Sequence, residues 1–305
     1  MVTIEYTQLE RWSQEPSLTE QGRIEHTLDL ISKKFYQNFP KDEIEPELGL
    51  TLYFEIYPQG SYANGTNVKQ DSDIDIVIEC TNLFNSNLSV EELQQLRMNS
   101  INYSVETFKQ DVFIALKKFF GNEIILENNC LKVRSNTNRI NADIIPSFRY
   151  KLFKKPAYRH SDLQANGIIL FASQEKKLVI NYPNVHISNC EGKDIQCGQN
   201  FKKLVRIFKN IRNELLAENI ITKNLASSYY IENLIYNCPN NLFFGNLTNN
   251  LHSILCFLNS AENNFSYFKC ANNIDDLFSD FTWSEEKATL FIEKVIDFTY
   301  KSKSN

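Results

Sequence analysis

The chain has no apolar run approaching the roughly 18 residues that a transmembrane helix needs, so none of its 305 residues is expected in a bilayer. Its opening, MVTIEYTQLERW, lacks a basic region followed by an apolar one, and no secretory signal is expected. It has no even set of cysteines: seven at irregular spacing suit reduced thiols in a cytosol better than a disulfide framework. It has no excess of positive charge either. With 32 Lys and Arg against 37 Asp and Glu, the net charge is −5. That argues against broad nonspecific binding to nucleic acid, though not against a local basic patch. There is no internal repeat, and the Asn-rich joins read as loops rather than low-complexity linkers. What is present is globular: 42% hydrophobic and 23% charged residues, enough for one large domain or two ordinary ones.

The most informative stretch is QGSYANGTNVKQDSDIDIVIE, from Gln59 to Glu79. Gly60 lets the backbone approach a phosphate closely, and Ser61 adds a hydroxyl to the N–H groups there. Asp73 and Asp75 sit at i and i+2, which on a strand puts both carboxylates on one face. Ile74, Ile76 and Ile78 then point to the other face, into a core. Like charges so close repel each other, and a divalent cation with oxygen ligands is the natural compensation. DxD alone reads as readily as a solvated turn at a strand end. The Gly-Ser turn followed by DxD opening an Ile/Val strand is the more specific signal. Asp143, in RINADIIPSF, opens a second short apolar run and supplies a third acid.

Along the chain, residues 17–39 read as a helix capped by Ser17 or Thr19, with Ile24, Leu28, Ile31 and Phe35 at helical spacing. Residues 40–48 read as a loop and 50–57 as a strand ending at Pro58. Residues 81–89 read as a polar loop, 90–120 as one long helix or two, and 123–127 and 131–135 as strands. Up to the strand carrying Asp143, the pattern predicts a helix-laced mixed sheet of about five strands; 167–173 and 176–181 then read as a strand pair. Residues 148–160, FRYKLFKKPAYRH, read either as a solvated loop or as a basic surface guiding anionic substrates. NYPNVHISNCEGKD reads as an ordered loop. Beyond Asn200 the chain turns helical, at 200–219, 226–237, 246–258 and 284–300. On the first of these, the apolar stripe from Phe201 to Leu216 is backed by Lys202, Lys203, Arg206, Lys209 and Arg212. Those charges read as a solvated face or as one or two contacts to a triphosphate.

The Gly-Ser, DxD and third-acid pattern resembles the core motif of the DNA polymerase β-like nucleotidyltransferase superfamily. Within it, the chain is most similar to the bacterial CD-NTases, relatives of cyclic GMP-AMP synthase and oligoadenylate synthase. QGSYANGT with DSDID resembles that family's core motif, ADIIPSF its third-acid strand, and GIILF with INYPNVH its central strand pair and loop. FKKLVRIFKNIRN is similar to its spine helix and ASSYYIENLIYNCP to its lid helix. The resemblance implies a bilobed α/β fold: a mixed-sheet nucleotidyltransferase core over residues 1–195, with the N-terminal helix across both lobes, and a helical lobe over 196–305.

By the same resemblance, Asp73, Asp75 and Asp143 would hold two Mg²⁺, with Mn²⁺ able to substitute. Gly60, Ser61, Lys209 and Ser228 would meet the phosphates, and Tyr229 would stack on a base. The residues alone make Ser228 a helix cap and Tyr229 a core aromatic. The implied activity is the joining of NTPs into a cyclic di- or trinucleotide, releasing pyrophosphate. That product would be an antiphage signal read by a separate effector protein. The enzyme would be cytoplasmic and monomeric, with no membrane and no obligatory double-stranded DNA. His186, Cys190 and Cys197 lie where cyclic GMP-AMP synthase carries a zinc-binding insertion. They offer three ligands where a structural zinc takes four, so we read them as ordinary loop residues and expect no zinc. The asparagines of residues 181–189 read as turn formers or as base-edge contacts. Two other activities fit the acids: nucleotidyl transfer to an RNA, protein or small molecule, and non-catalytic nucleotide binding.

Overall fold

The computed structural model describes residues 2–39, 51–68, 73–98, 103–157, 159–260, 262–278 and 283–300. Contacts between Cα atoms group the chain into two units. One comprises Ser17–Gly60 and Ser72–Val185, and the other Met1–Pro16, Ser61–Asp71 and His186–Asn305.

The first unit is built on a seven-stranded mixed sheet. Its strands are β1 (Phe54–Gln59), β2 (Ile74–Ser86), β3 (Ile124–Leu126), β4 (Leu131–Val133), β5 (Ala142–Phe153), β6 (Leu163–Ala172) and β7 (Lys177–Asn181). The order is β1-β2-β5-β4-β3, with β6 joining β5 to β7. Among the described residues, only β2 and β5 pair in parallel, and the other ladders are antiparallel. In β2 the alternation of IDIVI works as the sequence suggests, with Ile74, Ile76 and Ile78 fully buried. The unit also contains the helices Leu18–Asn38, capped by Ser17 on the Glu20 N–H, and Val105–Phe120, capped by Ser104 on the Thr107 N–H. Phe35, Phe39, Phe54, Phe108 and Phe148 form one aromatic cluster in this unit.

Three local expectations fail, each for a reason of pairing. Residues 81–86 are strand, not loop: after a register shift between Cys80 and Phe84, β2 resumes pairing with Arg149, Tyr150 and Lys151. Residues 148–153 are strand as well, because FRYKLF alternates: Phe148 and Tyr150 are buried on one face, and Arg149 and Lys151 face the other way, as does Phe153, which is buried in a separate cluster with Leu96 and Met98. NYPNVHISNCEGKD is largely the helix Pro183–Gln196, with the proline in its first turn, where a missing N–H costs nothing. The region 90–120 contains two helices, Val90–Gln95 and Val105–Phe120. The loop at 40–48 lies outside the described residues.

Lys109 shows how this unit is stitched. Its side chain is buried, and its ammonium donates to the carbonyls of Glu127 (3.0 Å), Asn128 (2.5 Å) and Phe171 (3.1 Å) and to Ser173 Oγ (2.9 Å). Burial pulls its pKa down, yet four oxygens hold the proton. Lys109→Met should cost about 2 kcal/mol, since buried acceptors lose their donor. Thermal unfolding would show it as a Tm lower by about 5 °C; an unchanged Tm would refute this role.

The second unit is helical. Its helices include Tyr6–Ser13, Phe201–Ala217, Ser228–Tyr236, Leu247–Ser260 and Glu285–Tyr300. Phe201, Leu204, Val205, Phe208, Ile211 and Leu215 are buried along one stripe, as their spacing predicts. Of the charges expected to be solvated on that helix, Arg206, Lys209 and Arg212 are buried too. Arg206 Nε donates to the Ser13 carbonyl (2.7 Å) and its Nη1 to that of Gly65. No helix among the described residues is long and apolar enough to cross a membrane.

Candidate active site

Strand register builds the acid row of the first unit. Gln59 pairs with Asp75, Asp75 with Asp143, and Asp143 with Lys132, so these residues form one row across β1, β2, β5 and β4. Paired residues point to the same face. Asp73 precedes β2 by one residue; its Oδ1 accepts from Asn141 Nδ2 (2.9 Å). Lys132 Nζ lies 2.8 Å from Asp73 Oδ2 and 3.4 Å from Asp143 Oδ1. Gly60, at φ +68°, lies so close to this row that a Cβ on it would sit 2.3 Å from Asp75 Oδ2. The sequence suggests that Gly60 makes a close approach to a phosphate; the close neighbour here is the Asp75 carboxylate.

Three carboxylates against one ammonium leave the row short of positive charge. Burial first, then the charges of Asp143 and Asp73, pushes Asp75 up from 3.8 to about 7, with Lys132 opposing. Burial likewise raises Asp143. Asp143 Oδ1 is buried and accepts no hydrogen bond of ordinary geometry, despite the Lys132 charge nearby. An all-oxygen, under-neutralised donor set of this kind suits a hard divalent cation. The three acids are not yet gathered as ligands, however. Among the described residues, the group whose donor atoms all lie within 4.8 Å of one another is His186, Cys190 and Glu232.

The charge on Asp75 has a measurable consequence. Its proton is held more tightly in the folded chain, so the associated stability is complete below pH 3.8 and is lost as pH rises towards about 7. In EDTA, the Tm should fall between about pH 5 and 7.5, and Asp75→Asn should reduce that fall. Equal slopes in the two proteins would contradict this assignment.

The remaining expected residues, Ser61, Lys209, Ser228 and Tyr229, belong to the second unit. There the organising group is Glu232, buried in the helix Ser228–Tyr236. Its Oε1 accepts from Asn64 Nδ2 (2.7 Å) and meets His186 Nε2 at 2.6 Å. Its Oε2 accepts from the Thr66 hydroxyl and lies 3.5 Å from Lys209 Nζ. Burial alone would raise its pKa, but the Lys209 ammonium and the His186 hydrogen bond overcome that and bring it to about 2. Lys209 also donates to the Thr66 carbonyl (3.0 Å), so it is a bonded, buried cation rather than an open one. Ser228 opens its helix, but the capping hydroxyl is that of Ser227, which accepts from the Tyr230 N–H. Tyr229 is not a core residue: it is 47% exposed, and its ring stacks on His186 with centroids 5.5 Å apart.

His186 and Cys190 are therefore helical and buried rather than loop residues, and Cys197 is not with them. The Cys197 thiol sits 3.6 Å from Asn240 Oδ1. Burial, then Glu232, pushes the Cys190 thiol far up, so it stays protonated. With Lys209 already matching the Glu232 charge, a cation here would meet another cation.

A cavity of about 150 Å³ lies in the first unit, lined by residues that include Tyr57, Glu79, Arg149, Asn166 and Asn184. Glu79 follows Asp75 and Val77 on the same face of β2. It is held by Arg149 Nε (2.6 Å) and the Tyr57 hydroxyl (2.8 Å). Sequence reasoning missed Lys132, Glu79 and Glu232. Lys132 was findable, as the middle residue of LKV on a strand beside Asp143. Glu232, a lone acid in an apolar helix, was a weaker signal.

Two family models match. The nucleotidyltransferase domain covers residues 47–138, and the cGAS/DncV-like nucleotidyltransferase C-terminal helical domain covers 188–300. The cyclic UMP-AMP synthase of Rhodothermus marinus is 31% identical over 95% of this chain and 96% of its own. Cyclic nucleotide synthase CdnE01 of Staphylococcus haemolyticus is 32% identical over 97% and 99%. The solved structure of the Rhodothermus marinus enzyme with Apcpp and Upnpp superposes with a TM-score of 0.87 at 30% identity, covering 99% of both chains. With the acid row on its mixed sheet and its helical second unit, the chain belongs to the cGAS/DncV-like nucleotidyltransferases, the CD-NTases.

Proposed function

We propose that this nucleotidyltransferase makes a cyclic di- or trinucleotide from NTPs. The observation that carries the reading is the row Asp75–Asp143 with Gly60 packed against it, in a chain similar along nearly its whole length to cyclic nucleotide synthases. Asp73, Asp75 and Asp143 are the residues that would hold Mg²⁺ or Mn²⁺. When bound, the ions supply Lewis-acid stabilisation of the attacking and leaving oxygens.

The protein's own groups do the rest. Gly60 leaves room for phosphate oxygens beside Asp75, and Ser61 offers its hydroxyl to them. Asp143 takes the proton from the attacking ribose hydroxyl. Its raised pKa brings it closer to the range in which a carboxylate works as a base at neutral pH. The exposed ring of Tyr229 is a platform for a base. Ser228 and Lys209 support the triphosphate; Lys209 does so from its seat on Thr66 and Glu232. The product serves as a cytoplasmic antiphage signal to a separate effector, and the enzyme acts as a monomer without zinc or double-stranded DNA.

The test is product analysis. The protein is incubated with all four NTPs and Mg²⁺, each NTP α-labelled in turn, and then treated with phosphatase. A phosphatase-resistant labelled nucleotide formed without any acceptor supports the reading. Label that enters only added RNA or protein overturns it.

A further inference from the structure

Two buried or half-buried lysines of the first unit are held in opposite ways. Lys109 is locked by three backbone carbonyls and a serine hydroxyl, none of which can leave. Lys132 is held by Asp73 and Asp143, two of the acids that the reading above assigns to the metal. Its side chain is 26% exposed, on a strand whose register places it directly beside Asp143. A lysine ammonium on a flexible four-carbon stem is a compact and movable charge.

We propose that Lys132 is a resident counter-cation. It holds Asp73 and Asp143 in the nucleotide-free protein and gives up that place when the divalent ion binds. This rests on the assignment of the three acids to the metal. Three observations converge on it. The ammonium stands between two carboxylates from different strands, where a cation's charge is needed. The acids are not gathered within ligand spacing of one another while it is there. And the buried Asp143 Oδ1 has the ammonium, at 3.4 Å, as its neighbouring charge and no other hydrogen-bond partner among the described residues. Lys132 would thus moderate the repulsion within the acid row, at the cost of competing with the metal. Once displaced, it remains beside the row as a positioning charge.

The account predicts an effect opposite in sign to that of an ordinary structural lysine. Mn²⁺ binding without nucleotide is measured by electron paramagnetic resonance on the full chain near pH 8. The proteins are the wild type, Lys132→Met, Lys132→Arg and Asp75→Ala. Removing a positive charge a few ångströms from the ion should tighten Mn²⁺ binding in Lys132→Met by about tenfold or more. Lys132→Arg, which keeps the charge, should stay within about threefold of wild type. In EDTA, Lys132→Met should melt below wild type, and Mn²⁺ should raise its Tm by more than it raises that of wild type.

Unchanged or weaker Mn²⁺ binding in Lys132→Met, with Asp75→Ala abolishing it, overturns this proposal alone. Binding unaffected by Asp75→Ala overturns the metal assignment beneath it. A readout on the unaltered chain removes any dependence on how the variants fold. Amine-specific labelling of Lys132, followed by mass spectrometry, should rise on adding Mn²⁺. Labelling that stays constant or falls contradicts displacement.

Discussion

Asp75→Ala should lower nucleotide turnover at least ~100-fold, while leaving the protein folded. Asp75 is the centre of the row: Gln59 flanks it on one side, Asp143 on the other, and Gly60 covers its Oδ2. No described neighbour can take over that position. Ser147 and Glu79 lie further along the paired strands, and Lys132 has the wrong charge. The loss should appear in kcat rather than in NTP affinity alone, because what disappears is stabilisation of charge that develops during transfer. Stability should move the other way. Burial first, and then repulsion from Asp143 and Asp73, raises the Asp75 pKa to about 7, so removing its charge relieves the row. A metal-free Tm equal to or above wild type, together with the kinetic loss, separates a functional acid from a structural one. Turnover within tenfold of wild type would contradict the assignment.

Gly60→Ala should be nearly as damaging, again about 100-fold, for reasons of space. The added Cβ would meet Asp75 Oδ2 at 2.3 Å, a distance no side chain tolerates, at a φ of +68° that an L-residue adopts only with strain. Either Asp75 leaves its seat or the turn into the helix Gly60–Ala63 shifts. A displacement of about an ångström at a reacting centre suffices for such a loss. Gly22 is the matched control: a Cβ there meets nothing within 4 Å, and it lies inside the helix Leu18–Asn38. Gly22→Ala should keep full activity and gain about 0.5–1 kcal/mol of stability. Steady-state kinetics and thermal melts of both variants decide the matter. A Gly60→Ala protein with normal turnover would show that the close contact has no part in the chemistry.

Much of this site was legible because local rules coincide there. The period-2 pattern of DIDIVI fixes which face carries Asp73 and Asp75, and a Gly before a strand of acids signals close approach. The capped, striped helices announced themselves through Ser17, Ser104 and the Phe201–Leu215 spacing. What escaped depends on partners distant in sequence. The strand character of residues 84–86 comes from pairing with 149–151, and that of Phe148–Phe153 from β6 as well. Lys132 acquires meaning only from its register with Asp143. Glu232 draws its role from Asn64, Thr66, His186 and Lys209, which no local window contains. Pro183 misled because the same residue breaks a helix from within and starts one at its first turn.

The most direct test of the acid row is where a metal binds. Crystals grown with Mn²⁺ and a non-hydrolysable ATP analogue, measured for anomalous scattering, would locate it. The account predicts anomalous density within coordination distance of Asp75 and Asp143, and none at His186, Cys190 and Glu232. Density at the latter group, with the aspartates bare beside bound nucleotide, would contradict it.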